Sequence, residues 1–416
     1  MSTSLIKYGL DQYRKSLNLS DFTTGSIPVV PTLRVFPSNH EEELNLDPSF
    51  DNLEELYRHA DQSQVGTTEE TTFRLDARKS KEYSRLQVLN QEEWDNELKQ
   101  VCEQIQLKLA PGATAVVPEL YKILLYQEGD FFKIHQDAQQ SDRMFASLLF
   151  FLPSPYEGGS FELYSSEPYS PGKGWQTIND DKKPERCVWV AFYTDVRHSV
   201  ETVKSGYRVV LNYKLEFEGS MSPSPNLQGF NLGLEKSFIE IQKRMQASSS
   251  YCGLALPLAY KYTEATMSPQ YLKGSDAFLY NALSKVGKPA LRHALRVDET
   301  EVYRSSDFDG EADWESHFKG LYLMDEASTK AFRKVHEEYR EDYRGSKKAC
   351  TLLLTNLDGS YLDHELEWLE RRTPGFGRSS PYSVHFDSKE RYGWLGNMTP
   401  AAKYFYFDVV LVLLKE

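Results

Sequence analysis

Apolar positions recur at two different periods along the chain, and the change of period divides it. Over "NQEEWDNELKQVCEQIQLKLAPG", residues 90–112, Trp94, Leu98, Val101, Ile105 and Leu109 fall three or four apart, which predicts one face of a helix. Asn90 followed by Glu93 has the spacing of a capping box, and Pro111-Gly112 stops the run. Between 116 and 217 the apolar residues gather instead into short runs: "KILLYQ", "RMFASLLFFLP", "SFELYS", "CVWVAFY", "RHSVETV" and "YRVVLNYKLEF". The breaks carry "EGD", "YEGGS", "PGKG" and "KSGY". Many short strands with glycine-rich turns predict a β-sandwich or barrel. Residues 1–88 follow neither period; "SIPVVPTLRVF" offers one short edge strand, and "SNHEEELNLDPSFDNLEELYRHAD" reads as a solvated acidic face. The Ser/Pro/Gly stretch "GSMSPSPNLQG", residues 219–229, marks a boundary. Beyond it Leu234, Phe238, Ile241 and Met245 predict one amphipathic helix, and Phe332, Val335, Tyr339 and Tyr343 another. "ACTLLLTNL" and the terminal "YFYFDVVLVLL" predict buried strands. The pattern thus gives three segments, 1–115, 116–218 and 219–416, with no repeat between the halves.

Composition narrows the class. A chain of 416 residues, 40% hydrophobic and 13% aromatic, can bury a sizeable core in two or three domains. A net charge of −13 with no long Lys/Arg run argues against a nucleic-acid partner, because phosphate binding needs a concentrated basic face. Cys102, Cys187, Cys252 and Cys350 lie far apart without a CxxC spacing. That argues against a zinc ribbon or disulfide scaffold and fits a reducing compartment. "MSTSLIKYGLDQYRKSL" lacks the apolar core of a secretory signal, and runs such as "FASLLFFL" are too short to span a bilayer. The expectation is a soluble cytoplasmic protein, with the nucleus as the alternative location and no membrane partner.

One constellation carries chemistry. In "KIHQDAQ", His135 and Asp137 are two apart, so in an extended segment both point to one side. The pair alone reads as structural. His198, in "YTDVRHSVETVKSGYRVVLNY", supplies a third ligand about one small barrel's length of chain later. Two histidines and a carboxylate on one face of a metal leave three positions open, the set that suits non-haem Fe(II) oxygen chemistry. If "KSG", Lys204 to Gly206, is a hairpin turn, Arg208 pairs opposite Thr202 and faces the same side as His198. The offset is then on the order of 13 Å along the strand. An Arg side chain and a five-carbon diacid chelating the metal fill that gap, and a guanidinium fork grips a carboxylate with two prongs. Tyr126, upstream in "LLYQEGDFFKIHQD", offers a hydroxyl to the same diacid.

"LLYQEGDFFKIHQD", "RMFASLLFFLPSPYEGGSFELY" and "VAFYTDVRHSVETVKSGYRVVLNYKL" together resemble the Fe(II)/2-oxoglutarate dioxygenase module of the prolyl 4-hydroxylase-like family. Tyr126, Gly129, Phe132, His135, Asp137, Gly158, Gly159, His198 and Arg208 match its order and spacing over about 100 residues. The resemblance implies an α+β fold: a double-stranded β-helix (jelly-roll) core, supporting N-terminal helices, and a mixed α/β C-terminal region. It implies that His135, Asp137 and His198 bind iron, that Arg208 salt-bridges 2-oxoglutarate and that Tyr126 hydrogen-bonds it. Dioxygen is then the second co-substrate and ascorbate a candidate reductant. A carboxylate at Asp137, where halogenating members have Gly or Ala, points to hydroxylation. Beyond the module, "YCGLALPLAYKY", "YLKGSDAFLYNAL" and "GNMTPAAKYFYFDVVLVLL" resemble the C-terminal extension of large, mostly fungal-type members. The basic residue is Arg where the family often has Lys. The second Tyr that some members place after His-x-Asp is absent; Leu149, Phe150 or Phe151 falls there.

Other candidates are weaker. His385 and Asp387 in "YSVHFDS" repeat the His-x-Asp spacing, but no histidine follows to complete a site. "YEGG" lacks the Lys and the strand–loop–helix context of a phosphate loop and reads as a turn. Arg143, Trp175 and Tyr193 are candidates to line a substrate pocket, the two aromatics reading equally well as core. The substrate is a protein or peptide residue, or else a free amino acid or other small metabolite that the enzyme oxidises or cyclises. A non-catalytic 2-oxoglutarate or oxygen sensor is the alternative of a different class.

Overall fold

The computed structural model describes residues 21–38, 43–46, 49–66, 71–164, 175–178, 186–221, 253–258, 266–303, 313–324, 366–368, 386–388 and 401–414, with isolated positions between 239 and 262. The chain divides into two compact units: residues 18–227 with 270–277, and residues 1–17, 228–269 and 278–416.

In the first unit the strands run, in chain order, β1 (Phe22–Ile27), β2 (Leu33–Val35), β3 (Leu44–Leu46), β4 (Asp61–Gln62), β5 (Val65–Gly66), β6 (Thr71–Thr72), β7 (Arg78–Lys79), β8 (Lys81–Tyr83) and β9 (Leu86–Val88). They continue as β10 (Ala113–Tyr126), β11 (Phe131–His135), β12 (Met144–Phe151), β13 (Tyr156–Gly158), β14 (Phe161–Tyr164), β15 (Trp175–Ile178), β16 (Cys187–Tyr193), β17 (Arg197–Val200), β18 (Val203–Gly206) and β19 (Arg208–Gly219). Helices α1 (Leu53–His59) and α2 (Gln91–Leu109) complete the unit. A seven-stranded antiparallel sheet has the order β1-β16-β12-β19-β10-β8-β4, and a five-stranded one the order β15-β14-β17-β11-β7. From β10 to β19 the chain passes repeatedly between these two sheets, which is the winding of a jelly roll. The fold is α+β with a double-stranded β-helix core.

The apolar pattern explains the layers. All eight residues of β12 are buried, as a strand covered on both faces requires. One cover is α2, whose Trp94, Leu98, Val101, Ile105 and Leu109 are buried as their spacing predicts. Trp94 is wholly buried; its Nε1 donates to the Tyr213 hydroxyl at 2.7 Å and its ring packs edge-on against Phe150. The expected capping box does not form. Asn90 stands at the N-cap, but its side chain makes no capping bond. It ties down the preceding strand segment instead, accepting from the Thr32 N–H at 2.9 Å and donating to the Val30 carbonyl at 3.2 Å. Residues expected to be irregular supply β1 on the edge of the large sheet, β7 on the edge of the small one, and β4 and β8 beyond β10. These pieces are two to six residues long, too short for alternation to reveal.

The second unit contains a six-stranded sheet of β20 (Gly253–Pro257), β21 (Ala290–Tyr303), β22 (Asp313–Met324), β23 (Leu366–Trp368), β24 (Phe386–Ser388) and β25 (Ala401–Leu414). Its long strands β21 and β25 pair antiparallel from Ala290↔Val412 to Glu301↔Ala401, so the terminal apolar run is a strand as expected. Helix α3 spans Gly274–Ser284. The helix expected over 234–245 lies largely outside the described residues, and the helix over 332–343, the strand "ACTLLLTNL" and His385 lie wholly outside them. Among the described residues no helix is long and apolar enough to cross a membrane.

Candidate metal centre

Strands β11 and β17 are neighbours in the small sheet, and His135 and His198 are register partners across them. Asp137 follows β11 by two residues. Its backbone N–H donates to the Thr194 carbonyl at 3.0 Å, and the Gln136 amide donates to the Asp195 carbonyl. These two bonds pin the segment after β11 to the turn between β16 and β17. One ligand atom from each of His135, Asp137 and His198 lies within 4.8 Å of the others, and this is the cluster that could hold a metal among the described residues.

The ligand atoms are oriented by their neighbours. His135 Nδ1 lies 2.8 Å from the Lys133 carbonyl and His198 Nδ1 lies 3.0 Å from the Val196 carbonyl. A carbonyl only accepts, so each Nδ1 carries the proton and each Nε2 presents a lone pair. Both Nε2 atoms face Asp137 Oδ1, at 4.0 Å from His135 and 3.6 Å from His198. The other oxygen, Oδ2, accepts from Ser147 Oγ at 2.5 Å. Ser147 is buried on β12, and nothing in its sequence context sets it apart from its neighbours. The His135 ring is stacked on Phe132 with centroids 3.4 Å apart, and His198 is flanked by Phe161 and Phe192 at 5.5 and 4.6 Å. Burial, then His198 and Arg78 beside it, push the His135 pKa well below the usual histidine value. The ring is therefore neutral, which is the form that binds metal.

Arg208 corrects one expectation and keeps another. Lys204 to Gly206 do not turn β17 back on itself. They belong to β18, which pairs with β13, and Arg208 is the register partner of Tyr126 and not of Thr202. The chain crosses between sheets through Gly206, with φ +74° and no room for a Cβ, since one there would sit 2.2 Å from the Pro155 carbonyl oxygen. Arg208 thus reaches the interior from the large sheet, opposite the histidines. It is 2% exposed, its guanidinium 4.9 Å from the Phe151 ring centroid, 5.5 Å from that of Tyr126 and 6.0 Å from that of Tyr156. Arg208, Tyr126, His135, Asp137 and His198 line one cavity of about 290 Å³, with Leu149 on its wall where the family's second Tyr was sought.

Two of the proposed substrate residues, Tyr193 and Arg143, fall outside that cavity's lining. Tyr193 is buried in the core, its hydroxyl donating to the Leu109 carbonyl at 2.7 Å, and burial holds its pKa well above the usual range. Arg143 is exposed at the start of β12; neither it nor Tyr193 is among the cavity's lining residues. Trp175 opens β15, paired with Tyr164. Arg78, Glu82 and Lys122 do line the cavity. Two of them come from the stretch that looked irregular, so sequence patterning had no reason to nominate them.

The donor set fits ferrous iron: two imidazoles and one carboxylate around a centre with room for further ligands, with a buried arginine in the same cavity suited to a dicarboxylate. Residues 121–214 match the model of the 2OG-Fe(II) oxygenase superfamily. No curated protein matches the chain. Among solved structures, a prolyl-4-hydroxylase from Pseudomonas putida is 14% identical with a TM-score of 0.31, covering 53% of this chain and 100% of its own. A viral collagen prolyl hydroxylase from Paramecium Bursaria Chlorella virus-1, in complex with 2OG, is 18% identical with a TM-score of 0.26, covering 34% and 81%. A prolyl hydroxylase from Trichoplax adhaerens, in complex with a hypoxia inducible factor peptide fragment, is 13% identical with a TM-score of 0.29, covering 51% and 90%. Residues 121–214, which hold His135, Asp137, His198, Tyr126 and Arg208, are a 2OG-Fe(II) oxygenase domain within the chain, and that domain gives the protein an oxidoreductase's donor set.

Proposed function

We propose that this chain couples the oxidative decarboxylation of 2-oxoglutarate to hydroxylation of a C–H bond in a peptide residue, of the prolyl type, or in a small molecule. The observation that carries the reading is the convergence of His135 Nε2, His198 Nε2 and Asp137 Oδ1 beside a buried Arg208 in one cavity. His135, Asp137 and His198 would hold Fe(II). When bound, ferrous iron with 2-oxoglutarate and dioxygen supplies the oxidising power that yields succinate, CO2 and a hydroxylated substrate.

The chain's own groups do the positioning. The Lys133 and Val196 carbonyls fix the two imidazoles in one tautomer. Ser147 fixes the carboxylate by holding Oδ2, which leaves Oδ1 toward the centre. Arg208 receives the distal carboxylate of 2-oxoglutarate, assisted by the Tyr126 hydroxyl, so that the co-substrate is oriented before chemistry begins. Phe132, Phe161 and Phe192 surround the imidazoles and keep water from the reacting region.

Fe(II)-dependent release of succinate from 2-oxoglutarate by the full chain tests the reading. Succinate that needs added Fe(II) and stops with a chelator supports it; none, or chelator-insensitive release, overturns it. Stoichiometric succinate with members of a peptide and metabolite library then separates the two substrate classes.

A further inference from the structure

Alternate residues of β10 and β19 face the cavity: Tyr126, Leu124 and Lys122 on one strand, Arg208, Val210, Asn212 and Lys214 on its neighbour. At ~3.3 Å per residue, Lys122 lies on the order of 13 Å from Tyr126, and Lys214 on the order of 20 Å from Arg208. The cavity therefore has an inner charged end at Arg208, an apolar band at Leu124 and Val210, and an outer charged end. At the outer end Lys122 Nζ lies 3.1 and 3.2 Å from the two carboxylate oxygens of Glu82. Arg78 Nη2 lies 3.3 Å from the same carboxylate. Arg78 also donates to Ser80 Oγ at 2.9 Å and to the Gln64 carbonyl at 2.8 Å, and its guanidinium sits 4.6 Å from the centroid of Phe132, the ring stacked on His135. It is thus one aromatic ring away from a metal ligand. Lys122 and Lys214 both lie over the Tyr121 ring, at 4.5 and 4.3 Å.

The charges at this end do not balance. The Arg78 and Lys122 side chains are only 6% and 14% exposed, and cations so covered are normally matched by anions. Glu82 is shared between the two of them, Lys214 pairs with Glu119, and Asp137 is committed to the metal. Among the described residues one positive charge is left over, and the proposed 2-oxoglutarate anchor stands at the opposite end. We propose that the outer end, between Arg78 and Lys122, is the docking subsite for a substrate carboxylate, so that the substrate is a carboxylate-bearing molecule. A single surplus charge matches a carboxylate better than a doubly charged phosphate. That the docked acid is the substrate rests on the oxygenase reading; that the subsite takes a carboxylate does not.

The Arg78 Nε–H, buried and hydrogen-bonded, is the reporter. The full chain, loaded with Zn(II) as a diamagnetic stand-in for iron and saturated with 2-oxoglutarate, is labelled with [15N]arginine and titrated with acetate, acetamide or chloride at matched ionic strength. The Arg78 Nε–H resonance, identified by its loss in R78K, shifts saturably with acetate and not with acetamide or chloride, and K122Q weakens the acetate response at least fivefold. A response to acetate no larger than that to chloride, or one undiminished in K122Q, overturns the subsite. Iron and 2-oxoglutarate uptake, measured on the wild-type chain, separate the two ideas. No uptake with the acetate response intact removes the oxygenase reading and keeps the subsite; uptake without the acetate response removes the subsite alone.

Discussion

At the scale of single residues the centre is a set of atoms each held by one identifiable partner, so each partner can be removed. Replacing His135 by Ala takes away one imidazole; the variant is expected to lose iron on dialysis and to form no succinate, as iron content and succinate assays will show. Ser147→Ala frees Asp137 Oδ2, and loss of such a supporting bond lowers metal affinity by about 10-fold or more. Ser147→Thr, which keeps the hydroxyl, is expected to restore most of it, with competition against a metal chelator as the measurement. Arg208→Ala removes the buried charge proposed to receive 2-oxoglutarate. A loss of about 3 kcal/mol, equivalent to roughly 100-fold, is expected in KM for 2-oxoglutarate with far less change in iron binding. The gathering of His135, Asp137 and His198, and the place of Arg208 in the same cavity, were legible in the sequence because that chemistry demands fixed residue types at recurring intervals. Ser147, Arg78 and Glu82 were not, because a serine in an apolar strand and two charges in a polar stretch fit many ordinary roles.

At the scale of elements the helical period and the short apolar runs foretold α2 and the longer strands β10, β12, β14, β16, β17 and β19, while "YEGG", read as a turn, supplies β13 at Tyr156–Gly158. What they could not foretell was which strands pair. A turn-like "KSG" suggested that β17 and β19 were a hairpin, yet the winding sends them to different sheets and places Arg208 across the cavity from His198. Gly206 makes that crossing possible. Gly206→Ala would combine a strained φ with a backbone overlap, and a destabilisation of ~2 kcal/mol or more is expected in urea unfolding. Trp94 joins α2 to the large sheet by packing and by its bond to Tyr213. Trp94→Ala is expected to lose about 3–5 kcal/mol, measured the same way.

At the scale of the whole molecule, the first unit, residues 18–227 with 270–277, contains His135, Asp137, His198, Tyr126 and Arg208, and the other unit has its own sheet built on β21 and β25. Ligand linkage should respect that division. With ligands at 100 times their Kd, about 2.7 kcal/mol of stabilisation is expected in the unit that binds them. Hydrogen exchange should then slow in β11, β17 and β19 and stay unchanged in β21 and β25. The inward alternation along β10 and β19 also has a temporal consequence. The Arg208 guanidinium lies against Phe151, Tyr126 and Tyr156, and the cavity-facing row of β10 and β19 runs from it toward Lys122 and Lys214. If Arg208 holds the diacid as proposed, a substrate seated toward Lys122 would lie across its path, and turnover is then expected to follow a fixed queue, with the co-substrate arriving first and its four-carbon remnant departing last.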